Sequence, residues 1–285
     1  MENLIKKLDL NEYITNFSKL FAREKPIILE GDINIHYKII SELSNYNINQ
    51  PSSVQNLDSQ LMHIQKQGIL RVYEIYEFIK IINYFLYLKR FNFQGKLLEW
   101  MDKIVIPNEI LKICEYFDDK ANLKEGVDED FDNIKQAIYK NKEEIKQSLY
   151  KTINSSKIKP YLVDMQVHFI NEQECLLVRG GFNHILSGSV IDRSNSGFFY
   201  VIPHSVSDLK QKQSDLKNKQ EEILFRLCKE ISHIFERNLL FLKFINKEFD
   251  RFDHYQARIF FSKIGDNNFI LPSKKDENKL VDFCH

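Results

Sequence analysis

Between Pro160 and Pro203 apolar residues alternate with polar ones: Val167 and Phe169, Leu176 and Val178, then Val190, then Phe199 and Val201. A period of two marks half-buried strands. Gly180, Gly181, Gly188 and Gly197 punctuate the alternation, so the stretch predicts roughly four short antiparallel strands joined by tight turns. On either side the period lengthens. Asp128 is placed to cap a helix, with Glu129 and Asp130 in a first turn where the helix dipole favours acids. Phe131, Ile134, Ile138, Ile145, Leu149 and Ile153 follow as a narrow stripe, which suits a helix packed on one partner helix. That helix spans roughly 27 residues, or about 40 Å. After Pro203 no Gly or Pro recurs until Gly265, and Leu209, Leu216, Ile223, Leu224, Leu227, Ile231, Ile234 and Phe235 form a second stripe. It is polar at first and far more apolar from Ile223 on. Phe241, Phe244, Phe249 and Phe252 then predict a return into a main core.

The two stripes predict an antiparallel helical pair carrying the β stretch at its tip. Residues 1–127 read as several helices. One face is Leu8 to Phe17 and another Asp32 to Leu43; a polar loop runs from Ser44 to Ser53. A long apolar pattern from Leu70 to Leu88 is interrupted at Gly95. Trp100 to Ile106 and Ile110 to Phe117 complete the set. The fold class is mainly α with a small inserted antiparallel β unit. The expected divisions are a helical core (1–127), a rising helix (128–159), the β unit (160–203), and a returning helix with its re-entry into the core (204–263). A compact helical protein with an ordinary β insertion is the simpler alternative.

Composition narrows the classes. Hydrophobic residues make up 43% and charged ones 28% of the 285 residues, as in a globular chain. Forty basic residues balance 40 acidic ones, which excludes a wholly basic nucleic-acid binder but not local patches. Cys114, Cys175, Cys228 and Cys284 have no CxxC spacing, so neither a disulfide framework nor a zinc site is expected. Lys6, Lys7, Asp9, Asn11 and Glu12 break any N-terminal leader run, and Lys80 and Asn83 break the run from Phe78 to Leu88. The expectation is a cytoplasmic protein with no membrane partner.

Charge is unevenly spread. Lys146, Lys151, Lys157 and Lys159 face no acid within their stretch, while Lys210, Lys212, Lys217 and Lys219 are set against only Asp208 and Asp215. In the helical-pair arrangement these stretches lie side by side below the β unit, where Arg179 and Arg193 add to them. Such a basic collar suits phosphate contact, which needs positive charge but no base-reading pattern. A solvated helix face is the alternative. Catalytic signatures are missing. There is no G-x-x-x-x-G-K-S/T; the Gly95-Lys96 pair is followed by Leu97. Neither H-E-x-x-H nor G-x-S-x-G occurs. His168, His184 and His204 have no ligand spacing, so no metal is expected. The run Asp192 to Gly197 has the composition of a hairpin turn rather than of an active loop.

The run Gly188-Ser189-Val190-Ile191-Asp192-Arg193-Ser194-Asn195-Ser196-Gly197 resembles the G-x-V-H-D-x-S-x-S-G of the bacterial MutS-II proteins, with Val201-Ile202-Pro203 in place of I-E-P. Val206, Asp208, Leu209, Leu216, Arg226, Lys229, Glu230 and Ser232 are similar to the helix that follows it. Asp253-His254-Tyr255-Gln256-Ala257-Arg258 resembles a D-x-x-x-A-K/R segment. Phe117 to Ile138 is similar to the family's acidic turn and rising helix. The chain departs from the family in the first hairpin, where Asn171-Glu172-Gln173-Glu174-Cys175 replaces a basic R-D/N-G/D-R-Y/F. Ile191 stands for His and Ile202 for Glu.

The resemblance implies a core domain, two lever helices (128–159 and 204–263) and a β clamp (160–203). Leu280 to His285 looks like the run before an ATPase domain, so 264–285 would begin that domain and the chain would be a fragment, also without the family's C-terminal nuclease domain. The implied function is to grip branched DNA such as recombination intermediates and suppress homologous recombination; the family is also linked to collided ribosomes. The full-length family member implies ATP and magnesium, a homodimer and an endonuclease. For this fragment the expectation is no catalysis and no cofactor. The residues expected to touch phosphates are Lys157, Lys159, Arg179, Arg193, Lys210 and Lys212. Two other classes stay open: a helical interaction scaffold that dimerises through its long helices without nucleic acid, and an enzyme with an unrecognised site.

Overall fold

A computed structural model describes residues 7, 9–182 and 184–265. The chain divides into two compact units, one of residues 1–123 and 228–285 and one of residues 124–227. The stretch read as the start of an ATPase domain lies, from residue 266 on, outside the described residues.

The first unit is helical. Its elements are α1 (Asn11–Ser18), α2 (Ile33–Leu43), α3 (Asp58–Gln65), α4 (Val72–Leu88), α5 (Gly95–Asp102) and α6 (Asn108–Glu115). To these it adds the end of α8 (Ser207–Arg237) and all of α9 (Leu239–Gly265). Asp32 caps α2, its carboxylate accepting from Asn34 N at 2.8 Å. In α4, Ile75, Phe78, Ile79, Ile81, Ile82, Phe85 and Leu88 are all buried, so more than one face of the helix is covered. α9 packs against α1, α2, α3 and α4. It buries Phe249 and Phe252 as the sequence predicts, but leaves Phe244 partly exposed.

α8 and α9 are separate helices although no Gly or Pro parts them. The break is at Asn238, whose side-chain amide donates to Ile234 O at 2.8 Å and supplies a local partner to the closing turn. α3 is absent from the sequence reading because its eight residues bury only Leu61 and Ile64, too few to show a period.

The second unit holds α7 (Glu129–Ile153), the first part of α8 and a four-stranded antiparallel sheet. Asp128 caps α7, accepting from Phe131 N at 2.8 Å. The two helices run antiparallel. Arg226 pairs with Asp128 near the start of α7 (2.8 Å), and Ser148 near its end donates to Ser205 O (3.3 Å). Asn141 interrupts the apolar stripe. Fully buried, it donates from Nδ2 to Leu209 O at 3.2 Å, while its Oδ1 has no partner.

The strands are β1 (Leu162–Ile170), β2 (Gln173–Val178), β3 (Gly188–Arg193) and β4 (Phe199–Pro203), in the order β1-β2-β4-β3. β2 is central and covered on both faces, so Cys175, Leu176, Leu177 and Val178 are buried without alternation. Ile145, Leu149, Ile153 and Val206 join Leu162, Leu176, Val178 and Val201 in one core. No described helix is long and apolar enough to cross a membrane.

Candidate nucleic-acid interface

Strand register decides which side chains share an end of the sheet. Leu162 pairs with Val178, Val178 with Phe199, and Phe199 with Arg193. Those four residues form one transverse row at one end. Arg179 follows Val178 directly, its backbone N donating to Tyr161 O at 3.0 Å. Lys157 and Lys159 lie on the segment that enters the same end, through the short 3-10 turn Lys159–Tyr161.

Two glycine turns close this end. Phe182 N donates to Arg179 O (3.2 Å) across Gly180 and Gly181, and Gly181 has φ +83°. A positive φ at the third position is the requirement of a type II turn. In the β3–β4 hairpin Gly197 N donates to Ser194 O (2.9 Å), Gly197 also has φ +83°, and Ser194 Oγ accepts from Phe198 N (3.1 Å). The turns touch: a Cβ on Gly180 would come within 3.1 Å of Gly197 O. Gly188, at the opposite end of β3, is held by space instead, since its Cβ would meet Ile202 O at 2.3 Å.

Lys157, Lys159, Arg179 and Arg193 are all exposed, and among the described residues none has an ion-pair partner. Arg179 Nε donates to Leu162 O at 3.2 Å, which fixes the stem and leaves the rest of the guanidinium facing outward. Arg193 lies over the Phe199 ring, 5.3 Å from its centroid. The structure therefore brings four of the six expected residues to one end.

It does not bring the other two there. Lys210 is half-buried and ion-paired with Glu174, near the opposite end of the sheet. Burial pushes the Glu174 carboxyl up, but the bond from Lys210 and its charge outweigh this and hold it below the usual range. Lys212 is exposed and sits 3.5 Å from Glu144 on α7. That opposite end is acidic: the β1–β2 turn carries Glu172 beside Asn171, both at positive φ as in a type I′ hairpin.

Sequence reading also passed over the aromatics. Tyr161 and Phe182 lie with ring centroids 5.1 Å apart at the cationic end, and Phe182 is 41% exposed. The Gly180-Gly181 pair was the available signal, since a turn there sets the next side chain outward.

Burial pushes the Cys175 thiol up to about 11, so the reactive thiolate is disfavoured. His168 Nε2 lies 3.0 Å from the Asp164 carboxylate. Among the described residues no group of three or more His, Cys, Asp or Glu side chains could hold a metal ion. The Gly95-Lys96 pair does not cradle a phosphate either. Glu42 already accepts from Lys96 N (3.2 Å) and Leu97 N (2.8 Å) at the start of α5.

No family model matches the chain. Among curated proteins it is similar to two bacterial proteins named endonuclease MutS2, from Helicobacter pylori strains 26695 and J99. Each is 32% identical over 288 aligned residues, covering 99% of this chain. The chain spans 38% of the length of these relatives.

Proposed function

Since the chain belongs to the MutS-II family, we propose that it is the part of such a protein that grips branched DNA and itself catalyses nothing. In this reading the helical unit is the core, α7 and α8 are the levers and the sheet is the clamp. In this reading ATP with magnesium, and the nuclease chemistry, belong to other parts of the whole protein. The whole protein would act in the cytoplasm as a dimer that suppresses homologous recombination.

The observation that carries this reading is the set of four exposed cations at one end of the sheet that have no ion-pair partner among the described residues. Cations with no acid to neutralise them attract a polyanion, and contacts to phosphate give affinity without sequence preference. A scaffold that only self-associates would have no use for them.

The test is binding of this chain to a four-way junction and to linear duplex across a salt series. Four phosphate contacts correspond to a slope of about −3.6 in log affinity against log salt. Lys157→Glu with Lys159→Glu should make that slope shallower by about two. Binding that ignores both salt and these reversals would remove DNA from the reading. Self-association insensitive to salt would restore the scaffold, and a preference for ribosomes over both DNAs would assign the surface to the ribosome.

A further inference from the structure

The cationic end of the sheet carries more than charge. Phe182 is a large apolar ring left 41% exposed directly beside the cations. Its position is set by the backbone. The Arg179–Phe182 turn fixes the approach to it, Ile185 N donates to Phe182 O at 3.0 Å beyond it, and Tyr161 supports one side of the ring. The contact of Gly180 with Gly197 ties this turn to the hairpin turn beside it. An exposed ring held in this way has little freedom to lose on binding a partner, and the entropy cost of association is correspondingly small.

What surrounds the ring identifies the partner. Arg179 is three residues away across the turn, Lys159 and Lys157 precede Tyr161, and Arg193 lies on the adjacent hairpin. A protein surface would meet this patch with acids around an apolar knob. A paired duplex would satisfy the cations but present no flat face to the ring. A nucleotide whose base has left the stack satisfies both, with its phosphates on the cations and its π-face on the aromatic.

We propose that Phe182, backed by Tyr161, is a stacking platform for an unpaired DNA base, and that it gives this end of the sheet a preference for DNA containing unpaired bases over continuous duplex. This rests on the DNA-gripping reading above and adds the feature of the DNA that is selected.

The experiment compares a linear duplex with the same duplex carrying one unpaired base, that base replaced by the fluorescent analogue 2-aminopurine. With the unaltered chain, binding should quench the probe, and the unpaired-base DNA should bind more tightly than the duplex. Phe182→Ala should lower affinity for the unpaired-base DNA by about tenfold, within the range for loss of one base–aromatic stack. It should abolish the quench and leave duplex affinity and the salt slope unchanged. Phe182→Trp should restore both the quench and the preference. Equal losses on the two DNAs, or an undiminished quench in Phe182→Ala, would overturn the platform while leaving phosphate gripping intact. Failure of the unaltered chain to bind either DNA at low salt would overturn both readings. An RNA duplex with an unpaired base serves as the parallel arm. A quench larger there than on DNA would overturn the assignment to DNA.

Discussion

Arg23 and Lys25 in the helical unit and the four cations at one end of the sheet are the same residue types in opposite circumstances. Arg23 and Lys25 are nearly buried and are held by Asp250 and Asp253 on α9. Arg23 makes a two-pronged bond to Asp250 (2.8 and 2.7 Å) and donates to Gln55 O and Asn246 O as well. Arg258 donates to Ile27 O. Each of these charges ties the segment before α2 to α9. At the sheet, Lys157, Lys159, Arg179 and Arg193 tie little together and remain available. Lys210 stands between the two cases, paired but only half-buried. A charge removed from water must be compensated within the fold, whereas an exposed one is screened and contributes little to stability. Burial and pairing, not residue type, therefore separate cations that hold this chain together from those that can hold something else.

Removing a buried partner should have the largest effect. Arg23→Ala leaves the carboxylate of Asp250 short of its main donor, and should destabilise the helical unit by about 3–5 kcal/mol. Urea unfolding followed by helix signal would show it. A loss below 1 kcal/mol would mean that Lys25 alone compensates Asp250, and the contrast with the sheet would weaken.

A pH series probes the same network. Burial, with the charges of Arg258 and Lys25, lowers the His254 pKa from 6.5 to about 4. Arg258 Nη1 lies 3.1 Å from His254 Nδ1, as suits a neutral ring accepting there. On acidification the unfolded chain takes up this proton near pH 6.5, but the folded chain does not until about pH 4. Stability that is full above pH 6.5 is therefore lost as pH falls through this window, by about 3 kcal/mol from this one group. Asp253 acts in the opposite sense, because burial raises its pKa. The quantity to measure is the difference between the unaltered chain and His254→Gln from pH 7 to 4.5. Parallel curves would show that His254 is not the group responsible.

How much of this was legible from sequence follows the same division. Alternation located all four strands, because a sheet with water on part of its surface must alternate somewhere. In β2 the alternation of Leu176 and Val178 does not mark two faces, since Cys175 and Leu177 between them are buried as well. The glycines and Ser194 of the family-like run were readable as a turn, and their reasons are conformational: positive φ at Gly197, a Ser194 bond to Phe198 N, and close backbone approach at Gly188. Net charge over a stretch was also readable. The fate of each lysine was not. Lys210 and Lys159 look alike in sequence, but the fold pairs Lys210 with Glu174 and leaves Lys159 without an ion-pair partner among the described residues. Asn141 was missed for a related reason, since a polar residue in an apolar stripe gives no sign of being buried.

The intermediate case should give an intermediate loss. Lys210→Ala removes the partner of a half-buried Glu174 and should cost about 2 kcal/mol, the scale of a hydrogen bond to a charged group. Thermal or urea unfolding of the sheet-bearing unit would report it. Lys210→Ala should also lower DNA affinity far less than Lys159→Glu does. If the two substitutions weaken DNA binding equally, Lys210 leaves Glu174 to reach phosphate, and its pairing in the unbound chain is a latch rather than a brace.

At the far end of the scale, Lys157→Glu and Lys159→Glu should change stability by no more than about 0.5 kcal/mol each, as expected for exposed side chains without partners. Their whole effect should appear in DNA binding, as a shallower salt slope. This smallest stability change is the sharpest probe of the comparison, because it separates two roles that a binding assay alone confuses. A cation that braces the sheet would lower affinity by loosening the surface, and its loss would show first in unfolding. A cation that only meets phosphate leaves the unfolding curve where it was. A loss above 1 kcal/mol for either substitution would place that lysine with Lys210 and Arg23, among the charges the fold itself requires.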